Sequence, residues 1–436
     1  MKYRKLILGI LCVSLVMGSC ASPEAAPVKP DASSQENSSL SSQPEPATTA
    51  VLSDTTGYLT DNEVVENLSA TGVNSVNKFG YGLYNKLFKE DENVFVSPVS
   101  MYLAFGMLQN GARGETEEQL GAILGGNKLE DLNAFCRDLQ LYLINNRDST
   151  ELSVGNSLWI RTQEAKTVQQ SFIDALSQYY GAKEAALDFD DPAAADTINN
   201  WVKESTNGMI EKLIDGPVNK STVMYLINTI YFKGVWEDAF DASLTKEKDF
   251  AAASGTIQVP MMVKSAQYRY VENDQLQGIL LPYKDGKTSM LVLLPKGDFA
   301  QFAKGITNEQ ITSLLGKMTF SEVVLSLPKM DIDYSADMIE AMQALGITDL
   351  FDKSADLSGI NGEKNLYVNK VTHKTVLKVD EEGTEAAGAT GIGIAMKAAV
   401  PTQQIIMTVD RPFFTAIVDN ETGLTLFGGS IVNPQA

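Results

Sequence analysis

Apolar residues recur at intervals of three and four along the first part of the chain's body, then every second position or in unbroken runs towards its end. The first pattern predicts helices over residues 76–88, 98–110, 115–124, 129–145 and 168–180. The second predicts strands over 153–160, 223–232, 278–283, 289–294 and 322–327, then, after one more helix at 338–345, over 371–379, 405–409, 413–419 and 424–431. Helices grouped early and strands grouped late, without strict alternation, predict an α+β fold. No internal repeat is present.

Two N-terminal stretches stand outside this pattern. Lys2, Arg4 and Lys5 precede an apolar run of 12 residues, Leu6 to Met17, which is too short to span a bilayer as a mature helix and reads as an export leader. It ends in Met17-Gly18-Ser19-Cys20, which resembles a bacterial lipobox. That resemblance implies cleavage before Cys20, a lipid on the new N-terminal cysteine, and a place at the cell envelope or surface, with release from the cell as the alternative. From Ala21 to Ala50 there is no aromatic residue, and Pro, Ser, Ala and Glu dominate. Such a segment buries too little apolar surface to offset its ordering entropy. About 35 residues of flexible tether span on the order of 30–35 Å, enough to hold a domain clear of a membrane. The expected division is a leader at 1–19, a tether at 20–57 and a single domain at 58–436.

Composition narrows the chemistry. With 35 basic and 55 acidic residues the chain has a formal charge of -20, and it carries no basic run, so nucleic-acid binding is not expected. The one histidine, His373, excludes HExxH zinc sites and two-His iron sites and leaves a single candidate base for any triad. No GxSxG elbow or GxxxxGK[ST] loop occurs. No catalytic residue, metal or cofactor is therefore expected. Of 3 cysteines, Cys12 leaves with the leader and Cys20 is modified, so Cys136 has no partner for an intradomain disulfide. Leu129, Leu132, Cys136, Leu139 and Leu143 fall on one helical stripe, which predicts a buried thiol.

Length alone suggests two or three domains, but a series of motifs points elsewhere. Asn93-Val-Phe-Val-Ser-Pro-Val-Ser100, Gly111-Ala-Arg-Gly-Glu-Thr116 and Asn228-Thr-Ile-Tyr-Phe-Lys-Gly-Val-Trp236 are followed by Val259-Pro-Met-Met262, Leu327-Pro-Lys329 and Ala355-Asp-Leu-Ser-Gly359. His373, then Val379-Asp-Glu-Glu-Gly-Thr-Glu-Ala-Ala-Gly-Ala389, Arg411-Pro-Phe-Phe414, Leu426-Phe-Gly-Gly429 and Val432-Asn-Pro434 complete the series. In this order they resemble the serpin family over roughly residues 70 to 436. The resemblance implies one large domain with three β-sheets, eight or nine helices and an exposed reactive-centre loop at about 381–404.

Glu381 to Pro401 is small-residue rich, and read alone it is a flexible surface loop. The resemblance makes it bait: a protease cuts it, the loop enters the main sheet as a strand, and the acyl-linked protease is carried along and distorted. The implied hinge is Glu381 with Gly383, Thr384, Glu385, Ala386, Ala387, Gly388, Ala389 and Thr390. At a period of two, Thr384, Ala386, Gly388, Thr390, Ile392 and Ile394 share one uncharged face, while Glu385 falls on the other, so insertion is chemically permitted. The eleven residues from Thr384 to Ile394 would make a strand of roughly 36 Å. Family spacing places the scissile bond at Lys397–Ala398, which suits a trypsin-like target; Ala395, Met396 or Ala398 would instead suit an elastase- or subtilisin-like enzyme. Ser97, Ser100, Asn228 and His373 match the family's shutter beneath the main sheet, and Trp236, Lys329 and Glu381 match its breach at the top.

The implied function is a serine protease inhibitor acting as a suicide substrate, with a covalent acyl complex to its target. A non-inhibitory serpin-fold binding protein and an inhibitor of cysteine proteases stay open as alternatives. The helix following Lys128 carries few basic residues, so no heparin-like cofactor is expected. Membrane contact is expected through the lipid alone, and the domain is expected to be a monomer.

Overall fold

Strand β5, Thr222–Val235, explains much of the architecture. Its run TVMYLINTIYF is apolar without alternation because both faces are covered. Met224, Leu226, Ile230 and Phe232 enter the main core, whereas Tyr225, Ile227 and Tyr231 join a second cluster with Trp159 and Trp201. The structure, a computed structural model, describes residues 10–19 (backbone only), 65–144, 150–384 and 404–435.

β5 lies near the middle of a seven-stranded sheet. On one side it pairs antiparallel with β3 (Thr150–Arg161), which pairs parallel with β4 (Lys183–Leu187). On the other side is a lane one strand wide, closed at its far edge by β12 (Leu366–Val379), which pairs with β11 (Met330–Asp337). Two collinear segments fill the lane. At the top, β13 (Gly383–Thr384) bridges Val379 and Gly234. Below it, β1 (Ile10–Ser19), from the N-terminal apolar run, pairs antiparallel with both β5 and β12.

The second ladder has nine strands. β7 (Gly255–Glu272) pairs over its first half with β6 (Lys246–Ala252) and at its end with β8 (Leu276–Pro282). β10 (Thr319–Pro328) joins β7 to β14 (Ile405–Thr408). From β8 the ladder continues through β9 (Thr288–Pro295), β15 (Phe413–Asp419) and β16 (Thr425–Ile431) to β2 (Val94–Val96). Because β7 runs unbroken between two small sheets, what counts as three sheets is hydrogen-bonded as two.

Ten α-helices pack around these sheets among the described residues, and the α+β class holds. They are α1 (Ala70–Leu87), α2 (Pro98–Gln109), α3 (Gly114–Ile123), α4 (Leu129–Ile144), α5 (Gln170–Tyr180), α6 (Ala194–Ser205), α7 (Phe299–Lys304), α8 (Asn308–Lys317), α9 (Ile339–Leu345) and α10 (Ser358–Asn361). The excess over eight or nine comes from α7 and α10, too short to show a helical stripe. α1 starts before the expected residue 76 because the Ser69 hydroxyl accepts from the Gly72 N–H, capping a first turn of small residues. α2 is buried along its whole length behind the main sheet, with Pro98 at its first turn. Cys136 is fully buried, and burial pushes its thiol up to about 12, which makes it inert. None of the helices is long and apolar enough to cross a membrane.

Candidate functional site

The top of the lane is built by a short chain of contacts. Asp380 folds the chain into a tight turn, its carboxylate accepting from the N–H groups of Glu382 and Gly383. The turn delivers Gly383 against β5 so closely that a Cβ there would lie 2.1 Å from the Gly234 carbonyl oxygen. Only glycine fits. Thr384 then enters the sheet, 2% exposed, with its hydroxyl 2.5 Å from that of Tyr283. Trp236 stacks on Tyr283 at 4.7 Å between ring centroids and donates its indole N–H to the Asp380 carbonyl.

Glu381 completes the breach. The Lys329 ammonium meets its carboxylate at 2.5 Å, and the Thr245 hydroxyl donates at 2.7 Å. Burial pushes the Glu381 carboxyl up, but the Lys329, Thr245 and backbone hydrogen bonds outweigh it and hold the group below its ordinary value. The expected trio Trp236, Lys329 and Glu381 is brought together. Thr245 and Tyr283 belong to the same site, although nothing in their local sequence marks them.

Halfway down the sheet lies a buried polar chain at the N-terminus of α2. Ser97 caps that helix, accepting from the Ser100 N–H at 3.2 Å. Ser100 donates to the side-chain Oδ1 of Asn228, whose amide N–H donates in turn to the Asn156 Oδ1 at 2.8 Å. Asn156 passes the chain to Gln140 and to the Tyr180 carbonyl. Sequence reading found Ser97, Ser100 and Asn228 but missed Asn156 and Gln140. Asn156 was visible in principle as an amide inside an apolar strand, LSVGNSLWI.

His373 is buried on the facing strand, where its Nε2 accepts from the Ser97 N–H at 3.2 Å. The ring proton is thereby assigned to Nδ1, which has no hydrogen-bond partner. An unsatisfied buried donor of this kind costs roughly 1–3 kcal/mol. His373 and Asn228 are not in contact, since both pair with Val13 of β1 from opposite sides. Two strand spacings, about 9.6 Å, therefore separate their backbones. Loss of that strand would let the sheet close and offer Asn228 to the orphaned Nδ1.

Burial pushes His373 down to about 3. Its depressed folded value means that its contribution to stability is complete above the unfolded value near 6.5 and falls as pH drops from there towards 3. The slope approaches about 1.4 kcal/mol per pH unit once the unfolded chain is protonated. His373→Gln should flatten the dependence of the urea midpoint between pH 6.5 and 5, where carboxylates contribute little. An unchanged slope would show that His373 is not the titrating group.

Glu385, Ala386, Ala387, Gly388, Ala389 and Thr390 of the hinge lie outside the described residues, as do Ala395, Met396, Lys397, Ala398 and Cys20. The loop's anchors are described: Thr384 at the top of the main sheet, and β14, which begins at Ile405 in the second ladder.

The profile of the family described as serpin (serine protease inhibitor) matches residues 74–434. A serpin-like protein of Thermococcus kodakarensis is 35% identical over 83% of this chain and 86% of its own length. Alpha-1-antiproteinase 2 of Equus caballus is 34% identical over 82% of this chain and 85% of its own. Among solved structures, the native state of the thermophilic serpin tengpin aligns with a TM-score of 0.76 at 28% identity, covering 88% of this chain and all of tengpin. Human thyroxine-binding globulin complexed with thyroxine aligns at 0.75 and 26% identity, covering 84% of this chain and all of the globulin. With a matched profile over most of its length and antiproteinases among its relatives, the chain belongs to the serpin family of serine protease inhibitors.

Proposed function

We propose that this chain is an inhibitory serpin that traps a serine protease as a suicide substrate. The observation that carries this reading is β13: two hinge residues already pair between β5 and β12, with Thr384 buried and in register to continue downward. The target's serine hydroxyl attacks the carbonyl of the residue before the scissile bond. An ester to the protease forms, the peptide bond breaks, and the departing amine takes up a proton. Freed from its lower anchor, the upper half of the loop zips into the lane and carries the acyl-protease along. This chain supplies no nucleophile.

Lys397–Ala398 is the bond we assign, and a lysine in that position fits a protease with a carboxylate in its specificity pocket. The lipobox-like Met17-Gly18-Ser19-Cys20 supports an anchor on Cys20, with the tether holding the inhibitor off the envelope surface. The thyroxine-binding globulin likeness favours a second reading, a ligand-binding serpin that does not trap. Incubating the leader-free chain with trypsin, elastase and subtilisin separates the two on a denaturing gel. A covalent complex supports inhibition, and clean cleavage without complex by every protease overturns it. The mass of the released C-terminal peptide reports the bond, and a cut away from Lys397 refutes the assigned register.

A further inference from the structure

The leader is more than an address tag in the uncleaved chain. It fills the lane the loop needs. β1 pairs with β12 from Leu11 to Ser19 and with β5 from Ile10 to Gly18, so both edges of the lane are satisfied. β1 and β13 are each antiparallel to both neighbours, so they run in the same direction along one line.

The registers make the competition specific. Thr384 sits opposite Gly234 and Ile10 opposite Tyr231, so a loop continuing down β5 reaches the position of Ile10 with residue 387. Further down, Leu11, Val13, Leu15 and Met17 hold the positions that Gly388, Thr390, Ile392 and Ile394 would take. These share the phase of the buried Thr384. Their cross-strand partners include Ile230, Asn228, Leu226, His373 and Val371, all fully buried. At a strand spacing of about 4.8 Å, the lane cannot hold both.

We propose that the apolar leader, while attached, occupies the central lane of the main sheet and excludes the reactive loop, so that the precursor cannot complete insertion until the leader is removed. This rests on the loop-insertion reading above. Hydrolysis of the Ser19–Cys20 peptide bond, with water as co-reactant, would free the leader from the chain and couple inhibitory competence to maturation.

The test uses the full chain with Cys20→Ala to retain the leader, alone and combined with Val13→Pro. Proline at the centre of β1 has no N–H to give the sheet and disrupts the pairing. Hydrogen exchange read by mass spectrometry should show residues 10–19 protected in the first protein and unprotected in the second. Nicking the reactive loop should then raise the melting temperature only of the Val13→Pro chain, because only its lane is free. Coil-like exchange of residues 10–19 without the proline would overturn the proposal, as would an equal rise in melting temperature for both proteins. Absence of a covalent protease complex in either form, with this exchange and melting pattern kept, would count against the inhibitor reading alone.

Discussion

Thr384→Arg is expected to turn the leader-free chain from an inhibitor into a substrate. Thr384 is 2% exposed and fits between the backbones of Gly234 and Val379, with its hydroxyl against Tyr283. Every residue that follows it into the lane must pass after this position is seated. A guanidinium buried there, at a place made for a hydroxyl, costs on the order of 3 kcal/mol or more. That penalty slows insertion about a hundredfold, while deacylation by the protease continues unchanged. The ratio of covalent complex to cleaved chain should therefore collapse, with cleavage itself as fast as before. Thr384→Ser, which keeps the hydroxyl, should retain trapping. Equal complex yield from Thr384→Arg would show that the loop does not enter through this position.

Cutting the loop of the leader-free chain should stabilise the domain. The eleven residues from Thr384 to Ile394 would add a strand bonded on both edges. Thr384 is already paired, and the bonds β5 and β12 would make to each other are lost, so the net is about ten bonds, or about 10 kcal/mol at roughly 1 kcal/mol each. For a domain of this size that corresponds to a rise of about 10–15 °C in melting temperature. The uncut form is then a kinetically held state. Identical melting before and after cleavage would exclude insertion.

Much of the scaffold was legible in the sequence because the hydrophobic period was regular there. The expected helices at 98–110 and 129–145 are observed as Pro98–Gln109 and Leu129–Ile144, and the strand at 413–419 as Phe413–Asp419. Strand β7 escaped because it mixes polar alternation with Pro260, a residue that usually argues against a strand. Helix α6 escaped because its stripe of Ala194, Ala195, Ile198, Trp201 and Val202 holds only three large apolar residues. Pairing of Ile10–Ser19 with the main sheet had no local signature. An unbroken apolar run reads equally as a leader or as a strand covered on both faces, and only the two pairing edges offered by β5 and β12 distinguish them.

The site divides in the same way. Ser97, Ser100, Asn228 and His373 carried a resemblance and do cluster around the start of α2, though Val13 of β1 lies between Asn228 and His373. Thr245 and Tyr283 reach Glu381 and Thr384 across separations of more than a hundred residues, which no local pattern encodes.

The most direct measurement is hydrogen exchange of the loop peptide preceding the scissile bond, read by mass spectrometry on the leader-free chain before and after it reacts with a trypsin-like protease. Amides of residues 385–394 should exchange rapidly at first and become strongly protected in the complex, as they acquire partners on β5 and β12. Exchange that stays fast after a covalent complex has formed would contradict insertion into the main sheet.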